Sequence, residues 1–150
     1  MTAADNESLR RDIRKAFIRR ILTYIAVIII LVIVVSVVFR QFHIYSNARL
    51  ALREAKNVKM SLEMINLEYY AAGISIYDDT AEGNLKKGAK AYVEKIQGNI
   101  DGLIRLTGYD SAKRLITGLE YETNEYIVRF TRHNEEETWT VSLIKELLKY

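Results

Sequence analysis

The sequence contains no cysteine, no proline and only two histidines in 150 residues. Without thiols the chain can form neither a disulfide nor a thiolate metal site. His43 and His133 lie far apart with no ligand-like spacing, which argues against a metal pair or a Ser-His-Asp arrangement. No glycine-rich phosphate loop of the required spacing is present. Paired carboxylates such as Asp78 with Asp79, or Glu120 with Glu122, read as solvated faces or turns rather than as acid–base machinery. The expectation is a protein that is not an enzyme and needs no cofactor. The missing proline leaves no marked linker, and no internal repeat is evident.

One long apolar run is present, and only one. Residues 21–39, ILTYIAVIIILVIVVSVVF, carry no charge, and 15 of the 19 are Ile, Val, Leu or Phe. As a helix this run would be ~28 Å long, close to the thickness of a bilayer's hydrocarbon core. A lone strand could not satisfy its backbone in lipid, so the β-branched content does not argue for a strand. A chain of this length has no second apolar run to bury such a helix inside a soluble core. The run is therefore read as a single transmembrane anchor. A cleaved signal peptide is the competing reading, but the apolar stretch is long and the following VVFRQFH offers no small-residue cleavage site.

Charge then sets the expected topology. The net charge is +3, and residues 1–20 hold six basic against three acidic side chains, 6 − 3 = +3. The remainder, from Arg40 onward, has 16 of each sign. The basicity belongs to the membrane flank, so a nucleic-acid-binding surface is not expected. By the positive-inside rule residues 1–20 form a cytoplasmic tail and residues 40–150 an extracytoplasmic domain, on a single-pass cell-membrane protein. An exported domain without disulfides is more usual of a bacterial envelope than of a eukaryotic secreted protein. Within the tail, Asn6 is a candidate cap for a short helix with Leu9, Ile13 and Phe17 on one side.

Past the anchor, Tyr45, Ala48, Leu52, Ala55, Val58, Leu62, Ile65, Tyr69, Ala72 and Ile76 recur every three or four residues. This predicts a long, coiled-coil-like amphipathic helix continuing from the anchor to about Tyr77. Residues 78–84, DDTAEGN, read as a turn, since they lack the alternating ligands of a calcium loop. A second helix is expected with Leu85, Ala89, Tyr92, Val93, Ile96, Ile100, Leu103 and Ile104 on its apolar side, and with Gly98 and Gly102 as a small-residue pair. Gly108 reads as a stop and Asp110 or Ser111 as the next N-cap, opening a third helix that buries Ala112, Leu115, Ile116, Leu119, Tyr126, Ile127 and Phe130. For the C-terminal segment, Asn134 followed by three glutamates predicts a fourth helix with Val141, Ile144 and Leu148 on one side. The alternative is a hairpin, Tyr126–Arg132 paired with Thr138–Leu143, because YIVRFT and TWTV have strand composition. The expected fold is thus an all-α antiparallel bundle, the alternative an α+β fold with a C-terminal hairpin over 126–143.

The order of basic tail, ILTYIAVIIILVIVVSVVF and a long helix through SLEMINLEYYAAGISIYDD resembles the extracytoplasmic four-helix-bundle sensing domain of bacterial chemoreceptors and histidine kinases. The resemblance implies an input module that passes ligand or partner binding through the first helix and the anchor. Such receptors continue into a second membrane helix and a cytoplasmic signalling module, neither of which follows within these residues. The alternative function is a bitopic scaffold or assembly subunit of an envelope machine for division, secretion or phage lysis.

Expected helix lengths, nearly 60 Å for the first and about 35 Å for the next two, leave its membrane-proximal half without a partner from its own chain. Tyr45, Ala48, Leu52 and Ala55 are accordingly expected to contact another chain, either a second copy in a homodimer or a helical membrane-protein partner. The same lengths put Tyr69, Tyr92 and Tyr126 at one level near Arg129 and Trp139. The plain reading of that level is an aromatic core layer. The sharper one is a pocket for an anionic or aromatic small molecule, with Arg129 supplying charge.

Overall fold

Residues 3–98, 100 and 102–147 are described in the computed structural model of the chain, with side chains from Arg14 to Lys145. The chain divides into two units, Met1–Tyr45 and Ser46–Tyr150. The helix α1 (Ala3–Ala71) contributes to both.

In the first unit every side chain from Arg14 to His43 is exposed to its surroundings, including Ile28, Leu31 and Val38. This stretch holds the one described helix segment long and apolar enough to cross a membrane. Its two aliphatic hydroxyls bond within the helix, Ser36 Oγ donating to the Val32 carbonyl at 2.8 Å and Thr23 Oγ1 to the Arg19 carbonyl at 2.9 Å. Neither requires water or a neighbouring chain. The helix begins at Ala3, ahead of the expected cap at Asn6.

The second unit is a helix laid on a sheet. From Ser46 to Ala71, α1 buries Ala51, Ala55, Val58, Leu62 and Ile65, with Ala48, Leu52 and Tyr69 partly covered beside them. The helix ends where Gly73 takes a φ of 70°: the Gly73 N–H donates to the Tyr70 carbonyl and the Ile74 N–H to the Tyr69 carbonyl. This pair of reverse bonds is the Schellman ending, for which a residue without Cβ is suited. The predicted helix ran through Ala72 and Ile76. Ile76 is fully buried, but on a turn beyond the helix.

Residues 78–84 form the expected turn and include a 3-10 segment, Glu82–Asn84. Asp78 Oδ1 accepts from the Thr80 N–H and hydroxyl, and these bonds, with Lys86 nearby, hold its carboxyl below the usual range. The helix α2 (Ala89–Gln97) follows, much shorter than predicted. Gly98 closes it, while Gly102 precedes a strand, so the two glycines share no helix face.

The remainder overturns the all-α expectation. Strands β1 (Leu103–Asp110), β2 (Leu115–Glu122), β3 (Tyr126–His133) and β4 (Glu136–Leu143) form one antiparallel sheet in the order β1-β2-β3-β4. The fold is α+β. The hairpin alternative over 126–143 describes β3 and β4, and the predicted third and C-terminal helices are absent. Leu148 of the latter lies outside the described residues. Only a four-residue helix, α3 (Ile144–Leu147), ends the described chain.

Local chemistry explains the difference. Tyr126, Val128 and Phe130 are all buried and alternate strictly, the period of a half-buried strand. Gly118 would cost about 1 kcal/mol in the interior of a helix. Asp110 does bind backbone N–H groups, those of Ala112 and Lys113, but it closes the β1–β2 turn instead of opening a helix. Asn134, read as a helix start, adopts a φ of 56° in the two-residue connection between His133 and Glu136. Short polar side chains serve caps and tight turns equally well.

The inner face of the sheet (Ile104, Leu106, Ile116, Leu119, Tyr121, Tyr126, Val128 and Phe130) closes the core against α1. Polar side chains tie the two layers. Asn66 donates to the Arg114 carbonyl at 2.7 Å and accepts from the Tyr109 hydroxyl at 3.0 Å. Lys59, nearly buried, reaches Glu137 at 2.9 Å and Glu63 at 3.1 Å. Arg132 bonds the same Glu137 carboxylate and approaches Glu63 at 3.4 Å. Arg132, then Lys59, therefore hold the Glu137 carboxyl below the usual carboxylate range. The four charges balance, and no buried side-chain polar atom lacks a partner among the described residues.

Candidate functional site

The pocket expected from Tyr69, Tyr92, Tyr126, Arg129 and Trp139 is not assembled. Tyr126 is buried on the inner face of the sheet, where low exposure pushes its hydroxyl pKa up. Trp139 is on the same face but opposite Phe130, with ring centroids 4.8 Å apart. Arg129 alternates to the outer face, where its Nε donates to Glu120 Oε2 at 2.7 Å. Tyr92, on α2, donates its hydroxyl to Glu68 Oε1 at 2.6 Å, and this bond to a carboxylate raises its pKa. Tyr69 packs partly against the core near Gly88. With a sheet in place of helices, Arg129 is turned to the face opposite Tyr126 and Trp139.

The expected inter-chain residues also separate. Ala55 is fully buried, and Ala48 and Leu52 are partly buried, all against the core of their own unit. The sheet supplies the partner that the bundle lengths had left missing. Tyr45 is 66% exposed and belongs to the first unit.

An open cleft of about 510 Å³ lies beside α2. Lys86, Lys87 and Lys90 line it together with Leu85 and Ile104, and none of the five expected pocket residues takes part. Among the described residues no group of three His, Asp or Glu side chains could hold a metal ion.

Two surfaces in the second unit are more distinctive. The first is the side of α1 turned away from the sheet. Met60, Met64 and Leu67 follow one another at steps of four and three residues, so they share a face. They are 58%, 50% and 67% exposed. Each is about half a helical turn from the buried line of Val58, Leu62 and Ile65. Exposed Arg53 and Lys56 precede the patch, and exposed Glu68 adjoins it. The signal was available in the sequence as a second apolar spacing opposite the main stripe.

The second surface is the free side of β4. The other border of the sheet, β1, is covered by the Glu82–Asn84 turn, with Asn84 Nδ2 donating to the Leu106 carbonyl at 2.7 Å. Gly83 comes so close to that strand that a Cβ there would lie 2.3 Å from the Ile104 carbonyl oxygen. Among the described residues no strand pairs with the outer side of β4. This edge position follows from topology and could not be read from composition. Comparison with protein-family models, curated proteins and solved structures finds no match to this chain.

Proposed function

We propose that this chain is a membrane-anchored, non-enzymatic assembly subunit of a cell envelope, which recruits a helical partner through the outward face of α1. In this reading residues 1–20 are cytoplasmic, the apolar run spans a bacterial cell membrane once, and the helix-on-sheet unit is outside the cytoplasm. The carrying observation is the exposed Met60–Met64–Leu67 patch on a helix whose other side already has a complete partner. Three large apolar side chains in register on a solvent-facing helix are matched by the apolar stripe of a second helix. Methionines suit such a surface because their flexible thioethers adapt to a neighbour's shape.

The test is site-specific photocrosslinking in native membranes. A crosslinker at Met64 should give a discrete adduct that disappears in the Met60→Glu/Leu67→Glu variant. A crosslinker at Thr131, on the outer face of the sheet, should give none. Equal labelling from both positions would sink the proposal. Topology is tested with a single cysteine at Ser111, exposed in the β1–β2 turn. It should react with an impermeant maleimide on intact cells. Reaction only after lysis would instead make the unit a cytoplasmic adaptor tethered to the membrane.

A second reading keeps the extracytoplasmic input module. The observation favouring it is that α1 is unbroken from Ala3 to Ala71, so no loop interrupts the helix that would carry a signal. The sensory resemblance relied on a four-helix bundle, however, and α1 packs on a sheet. Adducts to a kinase or chemoreceptor from Met64 would favour the input module, and adducts to division or secretion proteins the assembly subunit.

A further inference from the structure

The outward face of α1 carries more pattern than its three apolar residues. Leu50, Arg53, Asn57, Met60, Met64 and Leu67 follow one another at alternating steps of three and four, the a and d positions of a heptad. All six are exposed, Leu50 at 53%. The f positions of the same heptad are Ala55, Leu62 and Tyr69, the first two fully buried and the third packed on the core. In a heptad f lies opposite the a/d seam, so the sheet holds one side of α1 and leaves the seam on the other. From Leu50 to Leu67 the seam is ~26 Å long.

We propose that this seam pairs with the same seam of a second copy of the chain, the two α1 helices parallel and in register about a two-fold axis along their length. The second copy is then the helical occupant of the docking face described above, on whose role this pairing rests. The seam complements itself only in the parallel sense. There a meets a and d meets d: Asn57 faces Asn57, and Met60, Met64 and Leu67 make three consecutive apolar layers. An antiparallel pair centred on the seam would set Asn57 against Met60 and Arg53 against Met64, turning an amide and a guanidinium onto thioethers. A single Asn at an a position specifies register and a defined number of strands. Parallel packing also suits two copies that cross a membrane in the same direction, since α1 is continuous.

The flanks fit the same register. In a parallel pair a g residue lies beside the e residue five positions on in the other chain. That brings exposed Arg49 to Glu54 of the second copy, and Arg53, a d residue, borders the same Glu54. Farther along, Glu63 comes beside Glu68 of the second copy. Each of these is already bonded within its own copy, Glu63 to Lys59 at 3.1 Å and Arg132 at 3.4 Å, and Glu68 to the Tyr92 hydroxyl at 2.6 Å. Three apolar layers make a short contact, and anchoring both copies in one plane raises their effective concentration. The pair therefore belongs to the membrane, and dilution into excess detergent separates it.

The absence of native cysteine makes the test direct. Full-length single-cysteine variants N57C, M64C, K56C and S111C are oxidised in native membranes. Positions 57 and 64 meet their own copies on the axis, within the roughly 4.4–6.8 Å Cα separation that a disulfide spans. N57C and M64C should both convert mainly to covalent dimer. K56C, off the axis on the same helix, and S111C, in the β1–β2 turn, should stay mainly monomeric. Residues 57 and 64 are ~10 Å apart along α1, so an antiparallel pair could crosslink to itself at only one of them. Crosslinking at one alone, at neither, or equally at all four overturns the pairing. A second variant puts like charges on the axis: Met64→Lys in the N57C background should abolish the covalent dimer and keep the circular dichroism spectrum. A folded N57C/M64K protein that still crosslinks overturns the pairing as well. The photocrosslinker at Met64 separates this pairing from the broader docking role. An adduct of two copies of this chain alone supports the pairing. A discrete adduct with another protein removes the pairing and leaves the docking role standing, and no discrete adduct removes both.

Discussion

The two lengths of α1 differ in composition and meet different surroundings. From Arg14 to His43 no side chain is covered by protein, and apolar residues occur on every side of the helix. From Ser46 to Ala71 apolar and polar residues are sorted by side, and the line Ala51, Ala55, Val58, Leu62 and Ile65 is closed by the sheet. An all-round apolar surface matches a medium that surrounds the helix, whereas a stripe matches a partner on one side. The difference teaches that one continuous secondary structure can present two kinds of surface, and that the distribution of side chains tells them apart.

The strongest way to break this contrast is to put charge into the first length. Replacing Ile28 and Val32 together by arginine should cost about 5–7 kcal/mol of insertion free energy at roughly 2.5–3.5 kcal/mol each. Alkaline extraction should then release the chain from membranes, while the circular dichroism of the sheet persists. Release of the unsubstituted chain under the same conditions would remove the anchor reading.

The next effect sharpens the contrast within the second length. Leu62 is fully buried and Met60 is 58% exposed on the opposite side. Leu62→Ala should destabilise the unit by about 2–5 kcal/mol. Met60→Ala should stay within about 0.5 kcal/mol of the unsubstituted protein. Urea unfolding in detergent measures both, and equal losses would mean that α1 does not pack through the Leu62 side.

The smallest effect concerns the ion cluster joining α1 to β3 and β4. The Glu137 side chain is 36% exposed, so Glu137→Gln should cost only about 1 kcal/mol at neutral pH once solvent screening is allowed for. The sign of the pH dependence follows from the lowered folded pKa. The contribution is complete above the unfolded carboxylate value of about 4.3 and is lost as pH falls through the lower folded value. Stability of the unsubstituted chain should therefore fall more steeply in acid than that of Glu137→Gln. Parallel acid curves would show that Glu137 does not carry the linkage.

The long apolar run and the inner line of α1 are legible in the sequence, the first from composition and the second from a single periodicity. Ala48, Leu52, Ala55, Val58, Leu62, Ile65 and Tyr69 were identified as one stripe, and all lie on the covered side. What covers them was not legible. A repeat near 3.5 residues specifies a face, and a sheet can complete it as well as a second helix. In the sheet, Leu115, Ile116, Leu119, Tyr126, Ile127 and Phe130 satisfy helical spacing by accident, because they belong to two strands separated by a turn. Thr123 marks that turn, its hydroxyl accepting from the Tyr126 N–H. The candidate pocket failed for the same reason: a helical period puts Tyr126 and Arg129 on one side, whereas a strand puts them on opposite faces. Met60, Met64 and Leu67 were readable but overshadowed by the longer stripe.

The distance along the chain between Lys59 and Glu137, 78 residues, also sets an order of events during synthesis. At about 5–20 residues per second, Lys59 and the apolar line beside it are made roughly 4–16 s before their partners on β4. The sheet itself is a run of neighbouring hairpins, which close quickly once their strands exist. Nascent chains therefore pass through an interval in which the future inner side of α1 is bare. In that interval the side that is buried in the finished molecule is its most adhesive surface.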